Sequence, residues 1–93
     1  MEEKKIAEFF KALSDTTRVR LIYAIMDSEL CVSELAQRLN MNQSAVSHQL
    51  RVLRSSSIIN ARRDGKQMLY SMADGHIKSV MRQAEEYLMH TIN

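Results

Sequence analysis

Apolar residues recur along this chain at helical spacing, switch to alternation near residue 58, and return to helical spacing at the end. Ile6, Phe9, Phe10 and Leu13 repeat at i, i+3, i+4, i+7 and predict a first helix over about 2–13. Ser14-Asp15 is a break made of residues that favour a helix N-cap. Val19, Leu21, Ile22, Ile25 and Met26 predict a second helix over about 16–27, ended by the polar run Asp27-Ser28-Glu29. Ser33-Glu34 opens a short third helix to about Leu39, with Leu35 and Leu39 inward. The three-residue turn Asn40-Met41-Asn42 follows, with Asn42 placed to cap a fourth helix over 43–54. In that helix Val46, Leu50 and Leu53 form the core stripe. After Ser55-Ser56-Ser57 the period becomes two: Ile59, Ala61 and Arg63 alternate with Ile58, Asn60 and Arg62, and Met68, Tyr70 and Met72 with Leu69 and Ser71. Asp64-Gly65 between them is a two-residue hairpin signal. From about Gly75 to Thr91, Ile77, Val80, Met81, Ala84 and Leu88 share one face of a last helix.

Two short helices joined by so tight a turn form a helix-turn-helix unit, and a hairpin directly behind it is a wing. The expected fold is mainly α with a β-hairpin wing, a winged helix-turn-helix filling one domain over 1–93. The apolar last helix must pack back near the first, and the two are candidates for a dimer seam as well as for simple core burial. The fourth helix turns Gln43, Ser44, Ser47, His48 and Arg51 away from its core stripe. Short hydrogen-bonding groups in the first turns, with positive charge further along, suit a helix that meets base edges and phosphates. An ordinary solvated face has the same composition. The wing tip is flanked by Arg62, Arg63 and Lys66, which suits phosphate or minor-groove contact and equally suits an edge hairpin kept soluble by charge.

Charge distribution favours the nucleic-acid reading. The net charge of +2 hides an asymmetry: residues 43–66 hold five cations against the single acid Asp64, while the rest of the chain holds eight cations and ten acids. A basic quarter on a slightly acidic body is the footprint of a polyanion-binding surface, and it argues against a winged helix used only for protein contacts. With 93 residues, 45% hydrophobic and 26% charged, the chain is a globular domain, and the absence of proline suits a mostly helical one. No apolar run approaches the ~20 residues that span a bilayer, and Met1-Glu2-Glu3-Lys4-Lys5 leads into no signal-peptide core. A cytoplasmic location without membrane contact is expected. The lone Cys31 excludes an intrachain disulfide and reads as a small buried apolar residue. There is no Ser/His/Asp set, glycine-rich phosphate loop or carboxylate pair for catalysis. DNA contact accounts for Ser44, Ser47 and His48 on one helix better than a nucleophile and its base would.

Several segments together resemble the ArsR/SmtB family of metal-responsive bacterial repressors. They are Phe10-Lys11-Ala12-Leu13-Ser14-Asp15 with Thr17-Arg18, Glu29-Leu30-Cys31-Val32-Ser33-Glu34-Leu35-Ala36, Gln43-Ser44-Ala45-Val46-Ser47-His48-Gln49-Leu50, the Gly65 wing, and Asp74-Gly75-His76. The resemblance covers nearly the whole chain. It implies a homodimer that represses by occupying a double-stranded DNA operator and leaves it on binding an inducer. It also implies that Gln43, Ser44, Ser47 and His48 face the major groove.

In that family a metal site on the last helix follows Asp-x-His, then a ligand eleven residues after that His, then another three further on. Asp74, His76 and His90 match and are suitable ligands for Zn(II) or another divalent transition metal acting as inducer. Tyr87 stands at the remaining position, and a neutral phenol is a poor zinc ligand. Glu86 is adjacent, though about 100° away around the helix. His76 and His90 are 14 residues apart, or about 21 Å along a helix, so one chain cannot bring both to one ion. An antiparallel copy of the helix, crossing near Arg82, would set His76 of one subunit beside His90 of the other. The alternative is structural: Asp74 as an N-cap, His76 as a solvated first-turn residue, His90 as a cation at the helix C-terminus. A non-metal inducer, redox or small-molecule, or no inducer at all, fits the same scaffold.

Overall fold

The computed structural model describes residues 2–92. Five helices and one hairpin follow in the expected order: α1 (Glu3–Leu13), α2 (Thr16–Ile25), α3 (Val32–Leu39), α4 (Gln43–Ser55), β1 (Ile59–Asp64), β2 (Gln67–Met72) and α5 (His76–Ile92). The arrangement is a winged helix-turn-helix.

Local chemistry sets each boundary. Asp15 caps α2 by accepting the backbone N–H of Arg18 at 3.1 Å. The third helix starts one residue before the expected Ser33, because the Cys31 N–H donates to Glu34 Oε1 at 3.0 Å and closes the first turn there. It stops at Asn40, whose φ of 56° turns the chain left-handed. Two residues later Asn42 Oδ1 accepts the Ala45 N–H at 2.8 Å and starts α4, as expected. Ser57, at φ 60°, ends that helix with a second left-handed residue, and the Ile58 N–H reaches back to the Leu53 carbonyl at 3.1 Å.

The two strands pair antiparallel from Ile59↔Met72 to Asp64↔Gln67. The loop is therefore Gly65-Lys66, one residue later than the expected Asp64-Gly65. Gly65 has φ 64° and Lys66 does not turn positive, so glycine takes the first loop position that a type II′ turn reserves for it. A third segment joins the wing: Leu30 exchanges both backbone hydrogen bonds with Tyr70, at 3.1 and 2.9 Å. This bridge ties the wing to the loop before α3.

Leu21, Ile22, Ile25, Leu35, Val46, Leu50, Leu53, Ile58 and Ile59 are fully buried, and no charged or polar residue is buried among the described residues. At about 1.5–3 kcal/mol for each buried aliphatic side chain, this cluster dominates the stabilisation. It lies under α4 and fixes which helix face is left outside. The last helix adds only Ile77 and Met81 to it. Further along, Tyr87, Leu88 and Met89 are exposed, as are Ile6 and Phe10 on α1.

Candidate nucleic-acid interface

With Val46, Leu50 and Leu53 inward, α4 presents Gln43, Ser44, His48 and Arg51 to solvent, and Ser47 is half-buried beside them. The first turn of α4 meets the wing and the start of α3 in a shallow groove lined by Gln43, Ser33, Gln67 and Met68. Gln67 and Ser33 carry no helical or alternating signal that marks them as neighbours of Gln43. The αL turn at Asn40 and the wing pairing bring them there.

Alternation separates the two wing arginines. Arg63 pairs with Met68 and stands on the same strand face as Ala61 and Tyr70; Arg62 pairs with Leu69 on the opposite face, with Asn60. The Arg62 guanidinium is engaged by Glu29: Nε donates to Oε2 at 2.8 Å and Nη2 to Oε1 at 2.7 Å. This fork holds the Glu29 carboxyl below the usual carboxylate range, chiefly through the hydrogen bonds from Arg62. Among the described residues, Arg51, Arg54, Arg63 and Lys66 form no ion pair with a carboxylate. The free positive charge of the segment therefore lies on α4 and on the Arg63 and Lys66 side of the wing tip. A count of charges within residues 43–66 misses Glu29, which lies outside that segment.

Arg18 joins α1 and α4. Its Nε donates to the Ala12 carbonyl at 2.7 Å, Nη2 to the Lys11 carbonyl at 3.3 Å, and Nη1 to Gln49 Oε1 at 2.9 Å.

The candidate metal ligands divide between the two ends of α5. Asp74 Oδ1 accepts the His76 backbone N–H at 2.8 Å and lies 3.1 Å from His76 Nδ1, with both side chains largely exposed. The backbone N–H first, and the ring second, hold the Asp74 carboxyl below its ordinary value. Glu86, Tyr87 and His90 are exposed on the last turns. Among the described residues, no three His, Cys, Asp or Glu side chains converge within the chain. One copy thus offers two adjacent donors at one end of α5 and His90 at the other. Cys31 is buried, with Sγ 3.1 Å from Ser33 Oγ.

Phe10, Leu13, Tyr23, Val80, Ala84 and Leu88 line an apolar groove between α1, α2 and α5. The Tyr23 hydroxyl at its rim donates to Glu85, and that bond raises the phenol pKa. Met81, on the apolar face expected to take part in a dimer seam, is only 7% exposed within one chain and belongs to its core. No helix among the described residues is long and apolar enough to cross a membrane.

The chain is 44% identical over 87 residues to a transcriptional repressor SmtB homolog of Synechocystis sp., covering 94% of this chain and 66% of that protein. It is 39% identical over 80 residues to a cadmium resistance transcriptional regulatory protein CadC homolog of Staphylococcus aureus, covering 85% and 66%. It thus spans about two thirds of the length of these two relatives. The crystal structure of Rv0081 of Mycobacterium tuberculosis superposes with a TM-score of 0.90 at 34% identity, covering 97% of this chain and 91% of that one. Residues 15–61, from the cap of α2 into β1, match the family model described as bacterial regulatory protein, arsR family. The chain is a member of the ArsR family, a family of transcriptional regulators rather than enzymes.

Proposed function

We propose that the chain is a dimeric transcriptional repressor whose two α4 helices read an inverted-repeat operator and which a divalent metal ion, Zn(II) in the first instance, releases. The observation that carries the DNA reading is the surface shared by α4 and the wing. Gln43, Ser44 and His48 are exposed and Ser47 half-exposed in the first turns, while Arg51, Arg63 and Lys66 form no ion pair among the described residues. The short groups would meet base edges and the long cations phosphates. Arg62 would join them only by leaving Glu29.

The dimer reading rests on the apolar groove between α1 and α5. Phe10 and Leu88 are each 53% exposed, and a second copy laid antiparallel would cover both. Two α4 helices related by a two-fold axis would then fit half-sites about one helical turn apart.

The metal reading follows from the division of donors along α5. Asp74 and His76 are adjacent and solvent-facing, and a third donor, His90 of the partner subunit, would complete three protein ligands, with Glu86 of the partner subunit or water in the fourth position. These residue types fit zinc. The metal would supply a charge and a fixed coordination geometry. Its effect on DNA binding equals its preference for the dimer geometry that no longer matches the operator. The relatives' names point the same way, one a repressor and one a cadmium resistance regulator. A non-metal inducer is the second reading, favoured by Tyr87 at a customary ligand position, 68% exposed and without a metal-binding atom of the usual kind. Zinc titration into chelator-treated protein, followed by operator binding with and without chelator, separates the two. Operator release by zinc that the chelator reverses supports the metal reading; unchanged affinity leaves the non-metal one.

A further inference from the structure

We propose that Arg18 is a positioning residue for DNA reading: its guanidinium fixes the orientation of α4 against the end of α1 through Gln49. The inference rests on the DNA-binding reading of α4 and goes beyond it, since Arg18 lies on α2 and touches α4 only through Gln49, which is none of the candidate DNA contacts.

The geometry is a fork with two anchors and one output. Nε and Nη2 donate to the carbonyls of Ala12 and Lys11, in the last turn of α1. The Lys11 carbonyl also accepts the Ser14 N–H at 3.1 Å and the Ser14 hydroxyl at 2.7 Å, and both carbonyls belong to the negative end of the helix dipole. Nη1 then donates to Gln49 Oε1 at 2.9 Å, across 31 residues of sequence. Asp15 Oδ2 accepts the backbone N–H of Arg18 at 3.1 Å and holds the start of α2 in place. No carboxylate pairs with the guanidinium among the described residues. Its positive charge is met by neutral carbonyls and one amide oxygen. Because a guanidinium is planar and its donors are rigidly spaced, two fixed bonds dictate the direction of the third. A lysine would keep the charge and lose that direction.

Gln49 sits beside His48 on α4, between the core stripe and the exposed face. The apolar stripe fixes which face of α4 is inward, but apolar contacts are non-directional and set its azimuth less finely than a hydrogen bond does. A hydrogen bond from the fixed fork selects one azimuth. Base-edge contacts from Ser47 and His48 are short and angle-dependent, so they need that azimuth. Phosphate contacts from long Arg and Lys side chains do not. Losing the bond should therefore lower the fraction of protein in the reading geometry, and with it specific affinity alone. One hydrogen bond to a charged group is worth roughly tenfold in that ratio.

The test compares wild type, Arg18→Lys, Gln49→Met and the double variant. Binding is measured on the tightest duplex that wild type selects from a randomised pool, and on a scrambled duplex of equal composition. Each single variant should lower the selected-to-scrambled affinity ratio about tenfold with scrambled binding unchanged. The double variant should be no worse than either single one, because both remove one interaction. Gln49→Glu keeps an acceptor and should keep the ratio. Should Arg18→Lys lower the melting temperature through α1, Gln49→Met still decides, since it leaves both α1 carbonyl bonds in place. An unchanged ratio in Gln49→Met, equal losses on both duplexes, or multiplying losses in the double variant would each overturn the proposal. Failure of the DNA-binding reading itself is visible earlier, as a wild type that prefers no duplex, and it would remove the proposal too.

Discussion

Arg62 on the wing and Glu29 in the loop before α3 meet through two parallel hydrogen bonds, 2.8 and 2.7 Å long, across 33 residues of sequence. The pair cancels one of the five cations that make residues 43–66 basic, and it braces the wing on the face away from Arg63. An exposed pair of this kind adds little stability. Its consequence lies in how phosphates are met.

Glu29→Gln should free a cation, raise affinity for every duplex and steepen the dependence of log affinity on log salt by about 0.9, the increment for one phosphate contact. Arg62→Ala, which uncovers the Glu29 carboxylate but removes no phosphate contact, should leave the slope unchanged, whereas Arg63→Ala and Lys66→Ala should weaken all duplexes alike and flatten it. Salt-dependent anisotropy on a random duplex checks this. A slope flattened as much by Arg62→Ala as by Lys66→Ala would mean that Arg62 leaves Glu29 on binding.

Base reading should respond differently. Ser47→Ala or His48→Ala should cost on the order of 1–3 kcal/mol at the preferred duplex and relax base preference at one position per half-site. Competition between single-base variants of the duplex measures it; a uniform loss over all sequences would contradict base contact.

The exposed apolar face gives a test of assembly that leaves the core alone. Leu88→Asp and Phe10→Asp, both at 53% exposed positions, should give folded monomers by sedimentation and circular dichroism. Met81→Asp should unfold the chain instead, since it puts a charge into the core. Unchanged sedimentation of Leu88→Asp at micromolar concentration would exclude this face as the seam.

For the metal, His76→Ala and His90→Ala should each abolish zinc-dependent release while leaving DNA binding of the metal-free protein intact. Mixing the two variants is the sharper measurement. A site shared between subunits leaves one intact and one doubly damaged site per mixed dimer, so zinc binding should return at half stoichiometry. No return would place the ligands elsewhere.

Acid stability should depend on Glu34. The Cys31 N–H bonds its ionised carboxylate, so its pKa is lower folded than unfolded. The contribution is complete above the unfolded value of about 4.3 and is lost as pH falls through the folded one. The stability difference between wild type and Glu34→Gln should thus shrink below about pH 4.3, as chemical denaturation at stepped pH would record. A difference constant with pH would show that this carboxylate is not favoured by folding.

Periodic features were legible in the sequence. Val46, Leu50 and Leu53 gave the buried stripe of α4, and the alternation on either side of Gly65 gave the wing. Asn42 and Asp15 act as the caps their types suggested. The remainder depends on contacts between residues far apart in sequence, which leave no periodic trace. The Leu30–Tyr70 bridge, the Glu29–Arg62 fork and the Arg18–Gln49 bond all appear only once the chain has folded. Boundary shifts have smaller causes. The start of α3 moved because Cys31 supplies a backbone donor to Glu34, and α2 ends at Ile25 although Met26 keeps helical angles, a difference within ordinary fraying. Of the candidate metal ligands, Asp74 and His76 lie side by side, while His90 stands at the far end of α5. In the proposed arrangement His90 meets them only across two chains, so one chain's fold would contain half of the site.

Asn40 and Ser57, the two non-glycine residues with positive φ among the described ones, stand just before and just after α4. Asparagine tolerates that conformation through its short polar side chain, whereas serine has less compensation. Stability can thus be gained at both ends of the helix proposed to read DNA. Glycine at 57 would relieve more strain than glycine at 40, and neither change would touch a DNA-facing side chain. A lineage needing a more heat-resistant version could acquire it there without rewriting the set of sequences it recognises.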